Sequence, residues 1–443
     1  MAEDMRNSHV YHQVQRNLEQ FIATSPGLCV ALSGGVDSVV LLHLCKLYAD
    51  KHGLALQAVY VNHGLSEHAQ KWQHFCQSLC HSLAVPFTAK SVFITQKSRT
   101  SLEAQARDAR YQALDEAAQP EYILVLGQHA DDQVETFLLR LKRGSGLLGL
   151  GAMKPYTQLK SGRACMRPLL NTTRDEIEAF AQQFGLSHID DESNKDDVFD
   201  RNFLRNQVIP LLKSRFNGFV ASVLRTVEIL QSQQAIIDEI SAEDLKKCQH
   251  QNTLDITSLS QLSPARRDNV IRRWLAHQNV DMPSQKQLDQ IVQQAFSAKQ
   301  DNQLKIALSQ GAVRSYRGAL HWVTPVKKKQ DIVIADHSVL NEHSHPLAMM
   351  SGNGCRLPLS DEVVSVRYGR LKDKIRPKGK PGSNTLKHWL KDLRIPSWAR
   401  ESIAVIYYND TPVAVVDLFV NAEYADNDGI NWIINDDRKS ENR

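Results

Sequence analysis

Six residues, Ser33-Gly34-Gly35-Val36-Asp37-Ser38, stand between an apolar strand-like stretch at 27–32 and a largely apolar helical stretch at 37–48. Two adjacent glycines let the backbone turn sharply and offer bare N–H groups to an anion. The helix start adds more N–H donors and the positive end of its dipole, and Ser33 and Ser38 add hydroxyls. This is a pyrophosphate-sized cradle, and a strand–loop–helix unit of this kind commits its surroundings to a parallel α/β sheet. It is not a Walker A loop: no GxxxxGK(S/T) occurs, and no lysine follows to reach a γ-phosphate. Asp37 would repel phosphate unless a divalent ion lay between them, which implies Mg²⁺ with Asp37 as a ligand.

The neighbouring sequence keeps the alternation. Strands are expected at 55–62, 85–92, 121–127 and 163–169, and helices at 67–83, 101–118, 132–143 and 174–184. Ser101 is a candidate cap for the second of these helices, and Thr172 or Thr173 for the last, which stops at Gly185. Strands separated by helices mean a parallel sheet covered on both faces. Residues 185–200 read as a polar, acid-rich loop. Helical spacing then runs from 201 to 298, with fresh starts at Ser263-Pro264 and Pro283-Ser284, before strand-like segments at 302–309 and 312–323. Strands at 362–368, 403–408 and 412–419 and a helix at 383–393 complete the chain. Three domains are expected: a catalytic α/β domain at 1–215, a mainly helical middle domain at 216–345 and a small basic α+β domain at 356–435. A charged tail follows at 436–443.

A second cluster follows the strand ending at Gly127. Here His129, Asp131, Asp132 and Glu135 open a helix at the carboxyl end of a parallel strand, where open α/β sheets bind ligands. Acids three and four residues apart share a helix face and repel one another unless a metal ion or a cationic substrate joins them. Asp132 is a second candidate metal ligand. Arg201 and Arg205, four apart, are placed to clamp phosphates.

Composition narrows the setting. A chain of 443 residues with 42% hydrophobic and 23% charged residues reads as a multidomain globular protein. There is no long apolar run and no apolar stretch behind Met1, so neither a membrane nor secretion is expected and a cytoplasmic location is. Seven scattered cysteines are no disulfide framework, and Cys76 and Cys80 read as buried core thiols; no structural metal is assigned. Charge is uneven: from Arg367 to Arg400 eleven Lys or Arg residues meet only Asp373 and Asp392. Such a stretch suits nucleic-acid phosphates, with Arg367, Arg370, Lys387, Lys391 and Arg400 as candidate contacts. Leu386, Leu390 and Leu393 would face the core, leaving Lys387 and Lys391 on one cationic edge, and Trp389 and Trp398 read as core residues.

SGGVDS resembles the signature of the N-type ATP pyrophosphatases (the PP-loop family), in which this loop binds ATP. Within that family the chain is similar to the tRNA(Ile)-lysidine synthases. The likeness extends to 62–65 (NHGL), 102–111 (LEAQARDARY), the HADDQVET run at 129–136, MRPLL at 166–170 and RNFLRN at 201–206. At 191–194 (DESN), Glu192 departs from the family's usual proline. The resemblance implies ligation of L-lysine to C2 of the wobble cytidine (position 34) in CAU-anticodon isoleucine tRNA, through an adenylated cytidine, with release of AMP and diphosphate. It implies ATP bound by Ser33 to Ser38, Mg²⁺ and Asp37, and a C-terminal domain on the tRNA acceptor end. It also implies catalytic roles for His129, Asp131, Asp132, Glu135 and Arg205. Which acid serves metal, lysine or proton stays open, as does the choice between monomer and homodimer. The rivals are a 2-thiolation enzyme of the same fold, which would need cysteines placed for sulfur transfer, and an amidating synthetase, whose glutaminase domain is not recognisable.

Overall fold

The computed structural model describes residues 2–22, 25–62, 68–92, 102–190, 197–278, 280–297, 304–325, 329–334 and 347–434. Parts of several expected features, at 63–65, Ser101, 191–194 and the tail at 436–443, lie outside these residues. The backbone divides into two compact units, Met1–Glu239 and Ile240–Arg443.

The first unit opens with α1 (Ala2–Arg6) and α2 (His9–Phe21) and continues through β1 (Gly27–Ala31), α3 (Val36–His52), β2 (Ala55–Asn62), α4 (Ala69–Ser82) and β3 (Phe87–Ser91). Then come α5 (Leu102–Ala117), β4 (Ile123–Val125), α6 (Ala130–Lys142), α7 (Leu147–Leu150), β5 (Tyr156–Gln158), β6 (Ala164–Met166) and α8 (Arg174–Gln183). The strands form one sheet in the order β3-β2-β1-β4-β6-β5, parallel except for the β5–β6 edge pair. The expected strand at 163–169 is therefore β6. The antiparallel β5 beside it has no sequence signal, because three residues are too few to show alternation. Because β2 and β3 lie to one side of β1 and β4 to the other, the loops leaving β1 and β4 diverge. The crevice between them is the binding position of an open α/β sheet.

Local chemistry sets these boundaries. Most of α3 is buried up to its exposed last turn, as its largely apolar sequence requires, and Gly53 ends it with a left-handed φ of 65°. Thr173 caps α8 in a reciprocal box: its hydroxyl accepts from the Glu176 N–H (3.3 Å), and Glu176 accepts from the Thr173 N–H (2.7 Å). After α9 (Asp200–Phe203) the helix widens into a π-turn at Leu204–Val208 and narrows again as α10 (Ile209–Arg215). Pro210 has no N–H to return to the preceding turn, which accounts for the widening just before it.

Helix α11 (Phe219–Cys248) carries the chain into the second unit. Val220, Val223 and Val227 are buried with Ala130 and Val134 of α6, and Leu245 and Cys248 at its far end join another core. That core lies under a five-stranded antiparallel sheet containing β7 (Gln249–His250) and β8 (Thr253–Asp255). The helices α12 (Ile256–Ser260), α13 (Pro264–His277) and α14 (Gln285–Ser297) precede its remaining strands, β9 (Lys305–Leu308), β10 (Gly311–Tyr316) and β11 (Ala319–Val323). The middle segment thus carries a small sheet beside its helices. β7 and β8 are short and polar and turn about Gln251 at φ 52°, which hides them from periodicity.

The last segment begins with β12 (Ile332–Ile334), β13 (Leu347–Cys355) and β14 (Val364–Arg367), then β15 (Lys374–Ile375) and β16 (Asn384–Thr385). It continues with α15 (Leu386–Asp392), α16 (Ser397–Arg400), β17 (Val405–Tyr408), β18 (Thr411–Val415), β19 (Phe419–Val420), β20 (Ala425–Asp426) and β21 (Ile430–Ile434). Its main sheet runs β12-β14-β17-β18-β19 and is antiparallel throughout. No helix among the described residues is long and apolar enough to cross a membrane.

Candidate active site

The glycine loop closes on itself around one hydroxyl. Ser38 Oγ accepts from the N–H groups of Ser33 (3.2 Å) and Gly34 (3.1 Å) and donates to the Gly35 carbonyl (2.9 Å). In place of the expected anion-facing role, Ser38 is buried and organises the loop. Gly34 sits at φ 90°, and a Cβ there would come within 2.7 Å of Ile189 Cδ1 and 3.2 Å of Cys76 Sγ. The Ile189 N–H donates to the Gly34 carbonyl (2.9 Å), so the segment after α8 backs the loop. From the other side Gly127, where β4 ends, lets the backbone pass Asp37 and Ser38: a Cβ would stand 3.3–3.4 Å from their main-chain atoms.

Asp37, on that first turn, meets the cluster on α6. His129, buried at the start of α6, places Nε2 3.6 Å from Asp37 Oδ1 and 3.6 Å from Asp132 Oδ2, and Nδ1 3.8 Å from Asp131 Oδ2. The His129 N–H donates to Asp132 Oδ2 (3.1 Å). Asp37, His129, Asp131, Asp132 and Glu135 are thus gathered into one site by two loops that are far apart in sequence.

Cations on four elements answer these acids. Arg205, on the π-turn, donates from Nε and Nη2 to the two oxygens of Glu135 (2.6 and 3.1 Å) and from Nη2 to Asp132 Oδ1 (3.0 Å). Arg201 lies 3.3 Å from the same Glu135 and donates to Thr136 Oγ1 (3.2 Å). Instead of the expected phosphate clamp, both arginines turn onto α6. Arg174 donates from Nη1 to Asp37 Oδ2 (2.6 Å), and its backbone N–H donates to Asp131 Oδ2 (2.8 Å). Lys213 lies 3.5 Å from Asp131 and 3.0 Å from Asp175. Arg174 and Lys213 are additions to the expected site. The sequence does carry a signal for the first, since Thr173-x-x-Glu176 marks a helix start with Arg174 as its first residue. Nothing local marks Lys213.

The two central acids are pushed apart in proton affinity, as expected of carboxylates sharing one site. Burial raises Glu135, and the charge on Asp132 adds to this, outweighing the arginines. Burial works the same way on Asp132, but His129 and Arg205 more than offset it and hold that carboxyl below its ordinary range. Beside them opens a cavity of about 320 Å³ lined by His129, Asp131, Glu135, Arg174, Asp175, Glu178, Arg205, Ile209, Pro210 and Lys213.

A hard divalent cation fits at Asp37. Its Oδ1 is buried without a hydrogen-bond partner while Oδ2 is taken by Arg174. Asp132, the other candidate ligand, has both oxygens engaged, one by the His129 N–H and one by Arg205. Among the described residues no group of three or more His, Cys, Asp or Glu side chains is arranged to hold a metal.

The same organisation is found in known proteins. Residues 10–212 match the PP-loop domain, 254–321 the TilS substrate binding domain and 364–434 the TilS substrate C-terminal domain. A protein named tRNA(Ile)-lysidine synthase from Proteus mirabilis (strain HI4320) is 39% identical over 431 residues, covering 95% of this chain and 96% of its own. One from Shigella flexneri is 38% identical over 413 residues, covering 92% and 95%. The chain belongs to the tRNA(Ile)-lysidine synthase family. The match to the PP-loop domain makes it an ATP-using enzyme.

Within the TilS substrate C-terminal segment the basic residues take different positions. On α15, Leu386 and Leu390 are buried while Lys387 and Lys391 are exposed; Leu393 just past the helix is 48% exposed, not in the core. Arg370 is bound to Asp331 (2.9 Å). Arg367 stacks over Tyr407 and pairs with Asp410. Arg400 is buried and donates from Nε to the Ile395 carbonyl (2.9 Å), which departs from its expected place on a phosphate-facing surface. Trp389 donates to the Ile375 carbonyl (2.9 Å), and Trp398 packs edge-on to Tyr316 and His321, so both are structural.

Proposed function

We propose that the chain ligates L-lysine to C2 of the wobble cytidine of CAU-anticodon isoleucine tRNA, consuming ATP and releasing AMP and diphosphate. The observation that carries this reading is the cavity lined by Asp131, Glu135, Asp175 and Glu178 together with Arg174, Arg205 and Lys213, in a chain whose remaining segments match two TilS substrate domains. Such a pocket suits a cationic amino acid next to a nucleotide.

The C2 oxygen of the cytidine attacks the α-phosphate, and the bond to diphosphate breaks. The ε-nitrogen of lysine then attacks C2, and the C2–O bond breaks as AMP departs. Mg²⁺, held by Asp37 and the phosphates of the nucleotide, would neutralise the triphosphate charge. Asp131 and Glu135 line the cavity and hold the lysine ammonium. Glu135, with its raised proton affinity, is the better acceptor for the proton the amine must lose. Arg205 moves from Glu135 to the charge that develops on the phosphate and the adenylated base, leaving the acid to the substrate. Lys387 and Lys391 hold RNA phosphates without reading sequence.

A 2-thiolation reading lacks a nucleophile. All seven cysteines are buried, and burial pushes Cys29, Cys45, Cys76 and Cys80 up to about 12. The deciding experiment incubates the protein with ATP and transcribed isoleucine tRNA, adds each of the twenty amino acids in turn, and follows AMP, diphosphate and the modified base. Lysine alone should complete the reaction. AMP release without RNA, or no preference for lysine, would overturn the proposal.

A further inference from the structure

Asp37 is the residue through which the nucleotide loop reaches the acid cluster, yet nothing on α3 fixes its carboxylate. What fixes it is Arg174, the first residue of α8. Three hydrogen bonds converge there. Nη1 donates to Asp37 Oδ2 (2.6 Å), Nε donates to Glu178 Oε1 one turn along α8 (2.6 Å), and the backbone N–H donates to Asp131 Oδ2 (2.8 Å). The helix start is anchored by the Thr173–Glu176 box, so this N–H and guanidinium are presented from a rigid base.

We infer that Arg174 is a positioning residue: it holds Asp37 by Oδ2 and Asp131 by the backbone, so that Asp37 Oδ1 is left as the ligand for the nucleotide's divalent ion. This rests on the reading of Asp37 as the metal-facing acid. The geometry supports it in two ways. Asp37 Oδ1 is buried and accepts no hydrogen bond, with His129 Nε2 3.6 Å away and beyond hydrogen-bond reach, a costly arrangement for a carboxylate oxygen unless a cation completes it. The Nε of Arg174 is held by Glu178, which fixes the direction from which Nη1 reaches Asp37. A carboxylate fixed through one oxygen by a neighbouring group is the usual way a protein orients a metal ligand. Arg174 spans both loops of the crevice in this way, tying the β1 loop through Asp37 to the β4 loop through Asp131.

The test uses the full chain with Mn²⁺ as the probe ion and α,β-methylene ATP, which cannot release diphosphate. Mn²⁺ binding is read by electron paramagnetic resonance, separately from turnover. Arg174→Gln should weaken Mn²⁺ binding in the nucleotide complex by roughly 10- to 100-fold. Arg174→Lys, which keeps the charge but not the fork, should recover part of that loss. Glu178→Gln should give a smaller change in the same direction and serves if Arg174→Gln fails to fold. Wild-type Mn²⁺ affinity in folded Arg174→Gln, or no recovery in Arg174→Lys, would overturn the inference. Asp37→Ala separates the two levels: if it leaves Mn²⁺ binding unchanged, the metal-facing reading of Asp37 is what has failed.

Discussion

Arg205 grips Glu135 with two N–H groups, at 2.6 and 3.1 Å, while the Glu135 side chain is wholly buried and the Arg205 side chain is 36% exposed. The pair joins the π-turn to α6 across the site proposed for the substrate amine, so an internal cation rests where an external one must bind. Glu135→Gln should therefore act twice. It removes a binding group for lysine, raising the lysine KM far more than the ATP KM. It also leaves Arg201 without its acid and Arg205 with Asp132 alone. Breaking a fully buried pair costs about 3–5 kcal/mol, and partial exposure of Arg205 brings this to about 2 kcal/mol. Amino-acid titrations and urea unfolding measure the two effects separately, and a variant with an unaltered lysine KM would count against the assignment.

The acid limb of turnover should report Glu135. Its proton affinity is raised by burial and then by Asp132, so activity that needs its carboxylate should fall off as pH drops through a value above the ordinary 4.5. Asp132→Asn removes the like charge, which lowers the folded-state value and moves the limb to lower pH. The residual activity of Asp132→Asn, followed against pH under lysine-limited conditions, checks the direction. A limb that stays put or climbs would refute the coupling.

Gly34→Ala tests the loop. The position has φ 90°, and the added methyl would meet Ile189 and Cys76. Backbone strain of this kind costs about 1–3 kcal/mol, so the loop should open and the KM for ATP rise, with RNA binding retained. Gly127→Ala meets only main-chain atoms at 3.3–3.4 Å, a gap that a shift of a few tenths of an ångström relieves. Its effect should be several-fold milder. Parallel ATP and RNA titrations of the two variants would show whether that order holds.

The sheet, both loops and the acid cluster are legible in the sequence because each rests on local signals. The apolar run of β1, the paired glycines and the apolar α3 fix the nucleotide loop, and a helix start after β4 fixes Asp131, Asp132 and Glu135. What is not legible depends on partners far along the chain. Arg174 reaches Asp37 over 137 positions and Arg205 reaches Glu135 over 70, and no periodicity encodes either. The inward turn of Ser38 and the burial of Arg400 are hidden for the same reason. A hydroxyl or guanidinium reads as surface chemistry until its carbonyl partner, Gly35 or Ile395, is known.

If Lys387 and Lys391 bind phosphates, reversing both to Glu should weaken tRNA binding across sequences. The slope of log affinity against log salt should fall by about one for each phosphate that is no longer neutralised, with ATP binding unaffected. Arg400→Ala should behave differently. Its guanidinium is buried and its Nε serves the Ile395 carbonyl, so truncation leaves that acceptor unpaired and opens space in the interior. The cost should be about 1–3 kcal/mol of folding stability, while the salt slope of the folded fraction stays at the wild-type value. Filter binding over a salt series, beside thermal unfolding of both variants, separates a phosphate-binding lysine from a structural arginine. A reduced slope with unchanged stability in Arg400→Ala would return that residue to the RNA surface.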